Sequence, residues 1–102
     1  MSKALIERRL FDVAERLRRA REELAVIEEQ LEVLSEAAEE ARLRSLVSET
    51  PLAQREYTDA RRHAEAMQRS ARTVRESISE LSTSQDDLLD RLIAESFPED
   101  RS

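Results

Sequence analysis

The chain has 102 residues, no Gly, no Cys, only three aromatics (Phe11, Tyr57 and Phe97), 39% charged residues and a formal net charge of −6. That length makes one small domain, near the lower limit for a core that stands alone. A strand-rich fold is excluded by the missing Gly and the scarcity of β-branched residues. The acidity speaks against a general nucleic-acid binder, and the lack of Cys excludes disulfides, thiolate chemistry and Cys-held metals.

The first residues, Met-Ser-Lys-Ala-Leu-Ile-Glu-Arg-Arg, mix acid and base and carry no small-residue cleavage site, so they do not read as a signal peptide. No apolar run approaches the ~20 residues that cross a bilayer. The expected compartment is the cytoplasm.

From residue 3 to about 47 the sequence predicts one helix. Ala, Leu, Glu and Arg dominate it, and all favour helix. Apolar residues recur at alternating steps of three and four: Ile6, Leu10, Val13, Leu17, Ala20, Leu24, Ile27, Leu31, Leu34, Ala38 and Ala41. This is an a/d heptad with Leu10, Leu17, Leu24 and Leu31 at a, the pattern of a coiled-coil seam.

Residues 48–50 are the expected turn. Pro51 lacks an N–H and has a fixed φ, which suits the first position of a second helix and no later one. Thr50 then becomes the N-cap, its hydroxyl accepting from an otherwise unpaired N–H.

The second helix is predicted from 51 to about 97, and it repeats the seam: Tyr57, Ala60, Ala64, Met67, Ala71, Val74, Ile78, Leu81, Gln85, Leu88 and Leu92. Its weakest stretch is Leu81-Ser82-Thr83-Ser84-Gln85, where Ser84 with Asp87 could cap a restarted helix. The heptad runs through unbroken, which favours one continuous helix. Pro98 to Ser102 reads as a frayed tail.

The two arms fix their own register. If the chain reverses at Glu49, facing residues have numbers that add up to about twice that of the turn. Leu34 then meets Ala64, Leu31 Met67, Ile27 Ala71, Leu24 Val74, Ala20 Ile78, Leu17 Leu81, Val13 Gln85, Leu10 Leu88 and Ile6 Leu92. Each a meets a d, as an antiparallel pair requires. Charge agrees: residues 22–40 hold eight Glu and no base and face five Arg against three acids in 58–76. Residues 3–21 hold seven bases against three acids and face five acids and only Arg91 in 77–95. The expected fold is all-α, a long antiparallel two-helix coiled-coil hairpin.

Nothing points to catalysis or to a cofactor. His63 is the single histidine, at a flanking position, and cannot alone build a metal site. No Gly-rich phosphate loop or nucleophile–base pair is present. The Glu pairs at 22–23, 28–29 and 39–40 read as a solvated helix face. Gln85, on the seam opposite Val13, is the kind of polar residue that fixes register.

Apolar residues off the seam carry more information. Phe11 and Ala14 share a side with Leu89 and Ile93 at the open end, with Phe97 near by. Val26, Val33 and Ala37 make a second stripe, and Leu43, Leu46, Val47 and Leu52 cluster at the tip. Two helices cannot bury these, and such patches mark interfaces. Two copies packed into a four-helix bundle would cover them, as would docking on a larger protein. The expectation is a non-enzymatic protein–protein interaction module, its interface at Phe11, Ala14, Val26, Val33, Leu89, Ile93 and Phe97. Ser48, Glu49, Thr50, Pro51 and Tyr57 form its tip.

Some stretches resemble known families. Glu49-Thr50-Pro51-Leu52-Ala53, with Arg55-Glu56-Tyr57 and Arg61-Arg62-His63-Ala64, resembles a group of short, uncharacterised actinobacterial coiled-coil proteins, a likeness that covers most of the chain and implies no known activity. Glu56-Tyr57-Thr58-Asp59-Ala60-Arg61 resembles the segment just past the hairpin tip of Gre-type transcript-cleavage factors. The acidic positions of that family fall on Thr50 and Ala53, so the resemblance implies a transcription regulator whose tip enters the RNA polymerase secondary channel without cleaving. The secreted W-x-G helical hairpins are similar in length and shape, but the turn here has neither Trp nor Gly. A tRNA-binding arm like that of seryl-tRNA synthetases would need a basic tip half, which this chain lacks.

Overall fold

The computed structural model describes residues 1–97; the tail expected to fray, Pro98 to Ser102, lies outside the described residues. Two helices account for nearly all of it, α1 at Lys3–Ser48 and α2 at Pro51–Ser96. The fold is all-α, a two-helix hairpin.

Each helix end has a local cause. Ser2 caps α1, its Oγ accepting from the Leu5 N–H at 3.2 Å. Thr50 caps α2 in the same way, its Oγ1 accepting from the Ala53 N–H at 3.1 Å. Between the helices Glu49 takes φ 50°, the left-handed region that Gly usually fills where a helix ends on such a residue. Its N–H donates to the Ser45 carbonyl at 3.1 Å, satisfying one of the last carbonyls of α1. That bond carries α1 one residue past the expected end. Pro51 opens α2, so the link is two residues long.

No break occurs in α2 at Ser82–Ser84. Ser84 caps nothing there, and the hydroxyl of Thr83 donates to the Ser79 carbonyl at 3.1 Å, a bond made inside a helix. The seam contacts outweigh the poor propensity of this stretch.

Packing falls into two units. The open-end unit comprises Met1–Glu22 with Arg75–Ser102, and the turn unit is Glu23–Val74. In the open-end unit Ile6, Val13, Leu17 and Leu88 form a buried cluster, with Leu10, Ile78, Leu81 and Leu92 packed against it. In the turn unit the buried apolar residues are Ile27, Val74 and four alanines, Ala41, Ala53, Ala64 and Ala71. Every seam position read from the heptad is buried or half-buried. Gln85 is half-buried among them.

Candidate interaction surface

The apolar residues placed off the seam are all exposed. Phe11 is 79% exposed and Val47 86%, and Ala14, Val26, Val33, Ala37, Leu43, Leu46, Leu52, Leu89, Ile93 and Phe97 also face outward. A Phe left in water costs on the order of 1.5–3 kcal/mol relative to burial, so this surface has a reason to be covered.

In the open-end unit the two sides of the seam differ. On one side Leu10, Phe11 and Ala14 of α1 and Gln85, Leu89 and Leu92 of α2 line an open apolar groove, with Glu7 its only charged lining residue. Ile93 follows Leu89 four residues on along α2, and Phe97, one residue past its end, still donates its N–H to the Ile93 carbonyl at 3.0 Å, which keeps the three on nearly the same face. On the other side Arg9, Asp12, Ser84, Asp87 and Arg91 line a polar groove over Val13 and Leu88. Arg9 and Arg91, which the register sets side by side, thus share their groove with two carboxylates. One flank of this unit is apolar and the other is charged in both signs.

The turn unit holds the remaining expected residues. Val33 lines a groove with Leu34 and Met67, beside Glu29 and Gln30. Val26 lies two turns earlier on the same face of α1. At the tip Tyr57 is half-buried, and the guanidinium of Arg61 sits 5.6 Å from its ring centre, a cation–π contact within one helix. Ser48, Glu49, Thr50 and Pro51 are exposed.

Two features went unread in the sequence. Ala53 is buried opposite the half-buried Ser45, so the seam has a further layer next to the turn. The signal was present, since Ala53 and Ser45 continue the heptad, but Ser hides an a position. Ser2, as the cap of α1, is the second such feature.

Several surface ion pairs each run along a single helix. Arg16 pairs with Asp12, Arg42 with Glu39 and Arg61 with Glu65, each at a spacing of three or four. Around Glu15 the pairs link into a network. Arg18 donates to both its oxygens, Arg19 donates to Oε1 at 3.2 Å, and Arg18 also reaches Glu22 at 2.7 Å. Hydrogen bonding from Arg18, reinforced by Arg19, holds the Glu15 carboxyl down at about 2. The Arg18 guanidinium is pushed up in turn, chiefly by Glu15. Glu39 is lowered by its bond from Arg42. All of these groups are solvated, so the network is a surface feature of one helix face, screened by water.

Among the described residues no group of three or more His, Cys, Asp or Glu is arranged to hold a metal ion, and His63 is exposed. No helix is long and apolar enough to cross a membrane among the described residues. Nor do known proteins supply a parallel. No family model, characterised protein or solved structure matches this chain.

Proposed function

We propose that this protein is a non-enzymatic protein–protein interaction module, a coiled-coil hairpin that binds through apolar faces its own seam does not use. The observation that carries the reading is the groove beside Phe11. Aromatic and aliphatic side chains line it from both helices, and they stay exposed while every seam position is drawn inward. A folded chain that leaves a Phe 79% exposed beside an apolar groove has a surface made for a partner. The grooves are open and shallow, a shape that suits another helix better than a small molecule.

The double substitution Phe11→Glu with Ile93→Glu tests this. Placing two carboxylates on the face should abolish association through it while circular dichroism shows the helix content unchanged. Loss of helix in the double variant would instead put these residues in the chain's own core and end the reading.

A second reading rests on the tip, where Leu46, Val47 and Leu52 stand exposed around the turn. Docking of the tip inside the RNA polymerase channel would cover these residues. Polymerase subunits that co-purify with the Phe11→Glu/Ile93→Glu variant but not with Val47→Asp/Leu52→Asp would favour it.

A further inference from the structure

We infer that the apolar face of the open-end unit is covered by a second copy of this chain, related by a two-fold axis running along the helices, so that α1 of each copy lies against α2 of the other. The inference rests on the interaction-module reading and adds the partner and its orientation.

Face-to-face packing of two identical helix pairs allows two symmetric arrangements. With the axis across the helices, α1 lies on the partner's α1 and α2 on its α2. With the axis along the helices, α1 lies on α2 in both halves of the interface. Phe11 and Leu89 reach a facing copy equally well either way. Charge at the edge of the face separates the two.

On α2 the face is edged by Asp86 and Asp90, one turn before Leu89 and Ile93 respectively. Arg91 points to the polar groove on the other side, so from Asp86 to Ile93 no base stands on this edge of α2. On α1 the edge is set by Arg8, one turn before Phe11. Glu15, Arg18 and Glu22 are bound to one another. Arg8, Asp86 and Asp90 have no ion-pair partner within the chain among the described residues.

An axis across the helices at the height of Leu89, which centres the apolar face on itself, sets Asp86 and Asp90 of one copy against Asp90 and Asp86 of the other, four carboxylates with no base among them. Like charges at such an interface suppress that pairing. An axis along the helices keeps each residue at its own height. The register places Arg8 level with Asp90, since Ile6 faces Leu92 and Leu10 faces Leu88. Arg8 of each copy then meets Asp90 of the other, twice per dimer, at the rim of a groove in which Glu7 is the only charged lining residue. Open ends lie together in this arrangement, and each α1 runs antiparallel to the α2 it meets.

Charge exchange measured by sedimentation equilibrium at low salt tests the inference. Arg8→Asp alone and Asp90→Arg alone should each weaken dimerisation roughly 3- to 10-fold, because two exposed ion pairs become repulsions. The combined variant should return to within about 2-fold of wild type, since each pair is restored with its signs exchanged. Circular dichroism on every variant confirms that the helices persist. Tighter association of Asp90→Arg alone would overturn the inference in favour of the axis across the helices, and single variants indistinguishable from wild type would overturn the Arg8–Asp90 contact. A wild-type chain that is monomeric at tens of micromolar would overturn the second copy as occupant. The interaction-module reading would survive that last result, because it falls only if Phe11→Glu/Ile93→Glu unfolds the chain.

Discussion

The open-end unit and the turn unit use one heptad and fill it differently. The open end puts Ile6, Val13, Leu17 and Leu88 into its buried layers, whereas the turn unit relies on Ala41, Ala53, Ala64 and Ala71 with Ile27 and Val74. Large side chains remove more apolar area from water per layer. Alanines remove less but allow the two backbones to approach, so close fit replaces area. The pattern of positions therefore sets the fold, and the size of the residue at each position sets what a substitution there does.

The largest expected effect is at the open end. Leu17 is 2% exposed, and Leu17→Ala should cost about 2–5 kcal/mol, read as a shift of the urea midpoint at constant slope. Leu24, half-buried in the turn unit, should cost less on the same substitution. Equal costs would erase the contrast between the units.

The reverse substitution probes the close fit. Ala71 is fully buried in the turn unit, so Ala71→Leu should destabilise by about 1–3 kcal/mol through overpacking. A neutral or stabilising result would mean the alanine layers hold room for a larger side chain, and close approach would not be what they provide.

A smaller effect of opposite sign belongs to the link. Glu49→Gly should stabilise by about 1 kcal/mol, because Gly takes φ 50° without the clash a Cβ makes there. Thermal melts of the two proteins would show it.

Smallest is the pH response of the Glu15 network. Its carboxyl is held at about 2 in the folded chain against an ordinary value of 4.5. A lowered value means the network contributes fully above about 4.5 and its contribution fades as pH falls towards about 2. Wild type should lose thermal stability across that window slightly more than Glu15→Gln does. Identical profiles would show that solvent screens the network completely.

The fold was legible because period and register are backbone properties. An a/d repeat kept over many turns admits one seam, and Pro51 admits one place to reverse. The exposed set from Phe11 to Phe97 followed by subtraction, since whatever is apolar and off the seam has nowhere to go in a two-helix fold. Ion pairs resisted reading. Complementary charge blocks do not say which side chains pair, and the pairs around Glu15, Glu39 and Glu65 form within a helix, where neighbours lie three or four residues away. The left-handed Glu49 left no mark either, because the chain has no Gly to announce it.

Pro51 also decides the topology of the fold. An a/d seam does not record whether its two strands belong to one molecule, so two chains straightened through residues 48–51 could satisfy the same layers by exchanging arms. Such an exchange needs an unbroken helix across the link. There Pro51 would remove a backbone hydrogen bond and collide with the carbonyl of Val47, at a cost of about 3 kcal/mol or more, and it biases Thr50 away from helix as well. In the hairpin the same ring sits at the first position of α2, where its missing N–H costs nothing. One residue thus discriminates between a molecule closed on itself and an arm-swapped pair, and it does so at the single place in the chain where the two differ.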